Sequence, residues 1–151
     1  TNLEAAIYGV NTWWSKVGSQ AIDRSGLIVE KNFQRYRHYL APIVVVVDES
    51  TTQAEKSLIH YICEKTGAKT IFTTDLRDVN VKFARVRWLA SSKPPVLEML
   101  QQGISIDHRP VAQRGDIEAA RWLIEQSVAI TYHRYGNPNG GPKPSCSGLS
   151  A

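Results

Sequence analysis

The pattern of apolar and polar residues predicts one element with particular clarity. Residues 43–47 form an unbroken β-branched run, Ile-Val-Val-Val-Val, which is apolar on both faces. Such a run is typical of a central strand covered by helices on each side. Residues 54–62 then carry apolar side chains at helical spacing, and Gly67 is expected to stop that helix. The chain therefore contains a predicted strand, loop and helix between residues 43 and 67.

The same two periods recur in the second half of the chain. Strands are predicted at residues 69–73, 86–90 and 104–106, and a helix is predicted to open at Pro94-Pro95 and to end at Gly103. A last helix is expected to be capped by Asp116 and to bury one stripe. The members of that stripe are Ile117, Ala120, Leu123 and Ile124. Strands that alternate with short helices predict an α/β layer fold with a largely parallel sheet.

Two segments near the amino terminus stand outside this alternation. Residues 3–17 place apolar side chains at helical spacing, with the adjacent indoles of Trp13 and Trp14 in one broad stripe, which predicts a docking helix. Residues 27–39 alternate loosely and carry many charges, as expected of an exposed extended segment or an edge strand.

The last structured segment has the period of a half-buried strand. Between residues 127 and 132, Val128 and Ile130 alternate with Ser127, Ala129 and Thr131, and the Gly-Asn-Pro-Asn-Gly-Gly-Pro run at 136–142 ends regular structure. A strand that is followed by such a break is expected to pair with another element or another protein.

Composition narrows the function only a little. The 151 residues fit one domain, and 18 basic against 14 acidic side chains are too evenly balanced to indicate nucleic-acid binding, although Arg35 and Arg37 lie among aromatic residues. No stretch reaches the roughly 20 apolar residues of a membrane span. With only Cys63, expected in the core, and Cys146 in the tail, the composition favours a reduced, cytoplasmic protein.

Motifs for cofactors, metals and catalysis are not found. The chain has neither G-x-G-x-x-G nor G-x-x-x-x-G-K-[ST], and the loop after the best strand offers Asp48 and Glu49, which would repel a pyrophosphate. The four histidines are far apart in sequence, and neither cysteine has a close thiol partner for a metal. No catalytic, cofactor-binding or metal-binding residue is predicted, so the segment itself is not expected to be an enzyme.

Four segments resemble one known family. Residues 25–36, 86–89, 109–111 and above all 125–137 are similar to the C-terminal region of bacterial proline utilization A and of related long glutamate-semialdehyde (pyrroline-5-carboxylate) dehydrogenases. In that family the region resembles the nucleotide-binding half of an aldehyde dehydrogenase and ends in a β-flap on the catalytic module. The chain lacks the nucleophilic cysteine in a glycine-flanked loop and the glutamate base of an aldehyde dehydrogenase.

The resemblance implies an α/β, Rossmann-like three-layer domain with a largely parallel sheet and a C-terminal β-flap. Its expected parts are a docking helix at 1–20, the Rossmann-like domain at 21–126, the flap at 127–141 and a tail at 142–151. This accessory domain of a proline-catabolic aldehyde dehydrogenase would help to enclose a substrate-channelling cavity. NAD and FAD are expected only in the catalytic modules of the parent.

The expected partner is the catalytic dehydrogenase module of the same or a neighbouring chain, and the working parts would be surfaces. The residues expected at this interface are Trp13, Trp14, Val128, Ile130, Tyr132, His133, Arg134, Tyr135 and Asn137. Two alternatives stay open: a free-standing module that binds a small ligand or nucleotide, and a basic nucleic-acid-binding domain.

Overall fold

A computed structural model describes residues 2–23, 30–83 and 85–131. These residues form four α-helices and seven strands. A π-helical turn at Trp14–Gly18 and a 3-10 turn at Leu76–Asp78 join them. The elements in chain order are α1 (Leu3–Trp13), β1 (Ile22–Asp23), β2 (Glu30–His38), β3 (Ile43–Val46), α2 (Gln53–Thr66), β4 (Thr70–Thr73), β5 (Arg85–Trp88), α3 (Val96–Gln101), β6 (Ser105–Asp107), α4 (Gly115–Ala120) and β7 (Leu123–Thr131).

The predicted parallel sheet is confirmed. Its four strands lie in the order β4-β3-β5-β6, and every neighbouring pair is parallel. The β-branched run of β3 is fully buried, as expected of a central strand. The helix that follows β3 begins at a capping box formed by Thr52 and Glu55 and ends at Gly67, whose positive φ of 81° suits glycine. The fold is therefore α/β and Rossmann-like.

The two faces of the parallel sheet are covered differently. Ile43 and Val45 pack against helices, in the larger core. Val44, Val46 and Val86 form a smaller core on the other face. That second core is closed by half-buried side chains from the connecting segments, namely Leu76, Val79, Phe83, Ala90 and Ile104. Helices thus cover one face of β3, whereas the sequence predicted them on both, because the described part of the connection from β4 to β5 forms only a 3-10 turn.

A second, antiparallel sheet differs most from the sequence prediction. Its order is β1-β2-β7, so residues 30–38 form the central strand of this sheet and not the expected edge strand. The nine residues of β7 pair with β2 without interruption, from Leu123 opposite His38 to Thr131 opposite Glu30. The last strand therefore begins four residues before its predicted start.

The last helix is shorter than its periodicity indicated. Helix α4 ends at Ala120, and Leu123 and Ile124, which were placed in its buried stripe, belong to β7. Arg114 and not Asp116 occupies the cap position, and the exposed side chain of Ile117 is not part of a core stripe. Pairing with β2 outweighs helical spacing here, because nine continuous backbone pairs satisfy this segment.

Helices α1 and α4 touch at a point where only glycine fits. A Cβ on Gly115 would lie 1.8 Å from the carbonyl oxygen of Ala6 and 2.8 Å from Val10 Cγ2. Ala6 and Val10 are themselves completely buried, so neither can withdraw into solvent. This backbone contact sets the distance between the two helices. No helix in the described residues is long and apolar enough to span a bilayer.

We expect Gly115→Ala to lower the free energy of unfolding by about 2 kcal/mol or more, because the new methyl group overlaps main-chain atoms. Urea unfolding measures the loss. Gly9→Ala is the graded control, since its Cβ would meet Gly115 N at 3.3 Å and alanine is the better helix former. Equal stabilities of the two variants would contradict the close contact.

Candidate functional site

Parallel sheets of this kind usually bind ligands at the carboxyl ends of their strands. In this chain, one carboxylate side chain connects two loops at that edge. Asp48 follows β3, and its Oδ1 accepts hydrogen bonds from the backbone N and the hydroxyl of Ser50. Its Oδ2 accepts from the backbone N and the hydroxyl of Ser91, both at 2.7 Å, in the loop after β5. Asp48 therefore ties together two of the loops that would surround a ligand.

These hydrogen bonds fix the charge of the crevice. The hydroxyls of Ser50 and Ser91, followed by their backbone N–H groups, hold the pKa of Asp48 well below its usual range. A carboxylate that stays ionised at this position disfavours the phosphates of a dinucleotide, which need exposed backbone N–H donors. The backbone N–H groups of Ser50 and Ser91 already donate to Asp48 itself.

The remaining candidates for a nucleophile or a metal ligand show little sign of reactivity or metal binding. Cys63 lies in the larger core, as predicted, and burial raises the pKa of its thiol to about 11 although a hydrogen bond with Thr70 lowers it. A thiol with that pKa is protonated at neutral pH and is a poor nucleophile. His60 stacks on Phe72 with ring centroids 4.7 Å apart. Within the described ranges, no group of three or more potential metal ligands is found.

One of the two tryptophans of the predicted docking helix contacts the second sheet. Trp13 packs edge-on against Tyr36 of β2, with ring centroids 5.0 Å apart, and Trp14 lies 6.2 Å from Trp13. Gly18, at the end of the π-helical turn, is buried beneath both indoles. The indoles, which are half-buried, thus already contact other parts of this chain, and their contact with a partner stays a prediction.

The predicted flap strand β7 has one edge that no described strand pairs with, because it lies last in the order β1-β2-β7. Val128 lies opposite Phe33, and Ile130 lies opposite Lys31, so these residues share one face of the sheet. Tyr36, with Trp13 against it, points to the other face by the alternation of β2. Val128 and Ile130 therefore face away from the body.

The outer face of the antiparallel sheet carries four apolar side chains, called here the apolar stripe, which are Phe33, Ile124, Val128 and Ile130. The hydrogen-bonded pair of Arg35 and Gln126 lies between Ile124 and Val128 on the same face. Each of these four side chains is half-buried, and none belongs to either core of the described chain. The other interface residues predicted from the sequence, which are Tyr132, His133, Arg134, Tyr135 and Asn137, lie outside the described residues. The structure thus brings Val128 and Ile130 together on a surface.

A buried ionic network is the feature that the sequence analysis missed. Arg87 of β5 and Glu118 of α4 are almost completely buried, and Nη2 of Arg87 donates to Oε1 of Glu118 at 2.9 Å. Asp107 of β6 lies opposite Arg87 and binds Arg109 through both carboxylate oxygens, at 2.9 and 2.6 Å. The signal in the sequence was Arg87 itself, which stands between Val86 and Trp88 in a strand.

The network sets the charge of its members. Burial raises the pKa of Asp107, but hydrogen bonds from Arg109 and the charges of Arg87 and Arg109 outweigh burial and hold that pKa well below its usual range. Glu118 receives hydrogen bonds from Arg87, Arg121, Trp122 Nε1 and the backbone N of Ala112. The acceptor sites of this buried carboxylate are therefore filled by donors from three parts of the chain.

Comparison with known proteins identifies a similar fold. A structure of proline utilization A (PutA) from Corynebacterium freiburgense superposes with a TM-score of 0.72 at 22% sequence identity. The match covers 90% of this chain and 14% of that chain, so the present chain corresponds to a small part of its structural neighbour. No protein-family model matches the chain, and no curated protein sequence matches it. At this identity, the likeness shows the fold alone.

We expect NAD⁺ to leave the melting temperature of the chain unchanged, because the Asp48 carboxylate lies where the phosphates would approach. Differential scanning fluorimetry checks this, with sodium chloride at matched ionic strength as the control. A bound nucleotide at 100 times its Kd would add about 2.7 kcal/mol of stability, which is easily seen. A saturable rise in melting temperature with NAD⁺ would refute the expectation.

We expect Glu118→Gln to lower the free energy of unfolding by about 3–5 kcal/mol, because it removes the nearest counter-charge of the buried Arg87 guanidinium and leaves only Asp107 at 3.6 Å. Asp116→Asn is the matched control in the same helix, since Asp116 pairs at 2.7 Å with an exposed Arg114. That change should cost no more than about 1 kcal/mol. Denaturant unfolding measures the stability of both variants. Similar losses of unfolding free energy in the two would contradict a central role of the network.

Proposed function

We propose that this chain is an accessory domain of a proline-catabolic aldehyde dehydrogenase. In this proposal, β7 and the outer face of its sheet pack on a catalytic dehydrogenase module. The domain then covers part of the path along which a reactive aldehyde passes between active sites. The catalytic modules of the parent would hold NAD and FAD, and the expected compartment is the cytoplasm.

One observation carries the proposal: β7 combines an edge without a described partner strand and an outer apolar stripe, Phe33, Ile124, Val128 and Ile130. A nine-residue edge strand offers main-chain hydrogen bonds to another strand. Apolar side chains on the face directed away from the body supply burial on association. Long unpaired edges of this kind are a hazard unless something covers them.

The family resemblance and the fold likeness supply the chemical context. The segments at 86–89, 109–111 and 125–137 resemble the C-terminal region of bacterial proline utilization A, and the structural neighbour is a protein of that name. The crevice closed by Asp48 and the buried thiol of Cys63 also favour a role through surfaces. Enclosure would keep bulk water and competing reactions away from the aldehyde.

The mass of the native polypeptide that contains this segment is the first test. A denatured mass many times 16.9 kDa, taken from the source before proteolysis, is the result expected of a domain in a long dehydrogenase. A mass near 16.9 kDa would overturn the assignment to a long parent. The catalytic module would then have to be sought in a separate chain.

We expect the double change Val128→Asp and Ile130→Asp to separate the flap from the catalytic module, because two charges would be buried in an apolar contact. In the parent enzyme, the expected readout is a lag before NADH forms from proline, as the aldehyde escapes to bulk solvent. Ser127→Asp with Ala129→Asp is the matched control, since it adds the same charges to exposed positions on the opposite face of β7.

Comparison of the two double variants distinguishes a specific loss of docking from a general loss of folding. A lag in the Val128 and Ile130 variant alone, with unchanged circular dichroism, is the expected pattern. No lag in either variant would contradict the flap assignment, and an equal lag in both would show that charge on either face of β7 is sufficient.

A further inference from the structure

Three arginines converge on one cavity at the junction of the two sheets. The cavity has a volume of about 540 Å³, within the usual range of small-molecule sites. Arg85 from β5, Arg109 after β6 and Arg121 after α4 line it. These positions lie far apart in the sequence, so the fold and not a local motif brings the guanidinium groups together.

Each of the three guanidinium groups is held in place by the protein. Arg109 presents Nε and Nη2 to Asp107, and Arg85 donates from Nη1 to the Tyr39 hydroxyl at 2.8 Å. Nη1 of Arg121 donates to Glu118 Oε2 at 3.0 Å. Side chains held this way lose little further freedom when a ligand binds.

Donors nevertheless remain without an acceptor among the described residues. Arg109 binds Asp107 along one edge, which leaves its Nη1 and Nη2 edge open for a second planar acceptor. Arg121 has no described acceptor at Nη2, and its buried Nε has none either. An unsatisfied buried donor costs free energy that a nearby anion would offset.

The net charge of the ionic network also favours an anionic ligand. Four guanidinium groups surround two carboxylates, which leaves two positive charges in excess. The group consists of Arg85, Arg87, Arg109, Arg121, Asp107 and Glu118. Two further acids reach the cavity. Asp116 is paired with Arg114, whereas Glu125 accepts a hydrogen bond from the uncharged Gln34 and so reduces the excess at the cavity to one positive charge.

Apolar and aromatic side chains also line the cavity. Trp13, Ile117, Ala120 and Leu123 line it together with Tyr36. A cavity with a few fixed charged groups and an apolar or aromatic wall suits a ligand that has one charged end and one apolar part. A free inorganic ion would leave the indole and aliphatic surfaces without contacts.

We propose that this cavity binds a small organic carboxylate. Its carboxylate group lies against the open edge of Arg109 and against Arg121, and its apolar body lies against Trp13 and Leu123. Planar guanidinium and carboxylate groups form two parallel hydrogen bonds, which fixes the orientation of the ligand. This site is separate from the outer face of β7, because the cavity contains Tyr36 and Trp13, which lie on the inner face.

A titration of the 151-residue chain with benzoate tests the proposal, with benzamide as the uncharged probe of the same shape. The expected result is saturable binding of benzoate alone, followed by ¹H–¹⁵N NMR shifts at the Trp13 indole and at Arg109. Absence of benzoate binding, or equal binding of benzamide, overturns the site. Binding of phosphate without binding of benzoate overturns the organic-acid assignment.

Variants locate the binding site. Arg109→Gln should weaken benzoate binding roughly tenfold, because one charged hydrogen-bonding edge is lost. Arg109 is 58% exposed, so this change is compatible with folding, which circular dichroism verifies. Arg77→Gln is the matched control, since Arg77 is equally part of an aspartate pair but lies outside the cavity. Equal affinities of the two variants would overturn the assignment to this cavity.

Discussion

The buried carboxylate of Glu118 is the point on which the arrangement of both sheets depends. It binds Arg87 from the parallel sheet and the indole N–H of Trp122, which immediately precedes β7. A carboxylate with no exposed surface is tolerated only when its acceptor sites are filled, since desolvation costs several kcal/mol. Because those donors come from different elements, satisfying the charge also fixes where α4 ends and where β7 begins.

Helix α4 is held from its other side by shape and not by charge. The contact of Gly115 with Ala6 brings α1 and α4 closer than any side chain would permit. Trp13, at the end of α1, then reaches Tyr36 of β2. The antiparallel sheet is therefore attached to the body twice, through Trp122 and through Trp13, and its outer face is left without a described cover. A surface presented on such a supported sheet can bind a partner with little loss of entropy.

The sequence predicted the parallel sheet well because its signals are local. A β-branched run such as residues 43–46, or a glycine such as Gly67 after a helix, has few structural alternatives. The second sheet was predicted poorly, since the paired residues of β2 and β7 are far apart in the sequence, as His38 is from Leu123 and Glu30 from Thr131. The local hydrophobic period does not indicate a partner strand so distant in the sequence, so residues 30–38 were predicted as an edge strand. For the same reason, Leu123 and Ile124 fitted a helical stripe equally well.

The two candidate binding surfaces also differ in how far the sequence predicts them. Val128 and Ile130 could be chosen from alternation alone, because a half-buried strand must place its apolar residues on one face. The arginine cavity could not be predicted from the sequence, since a single arginine in a strand is usually solvated. Only the fold brings Arg85 and Arg109 beside Arg121. The carboxylates of Asp107 and Glu118 stabilise the body and also orient those guanidinium groups. Stability and the proposed binding thus share one network, so a ligand in the cavity would strengthen the contacts that position β7.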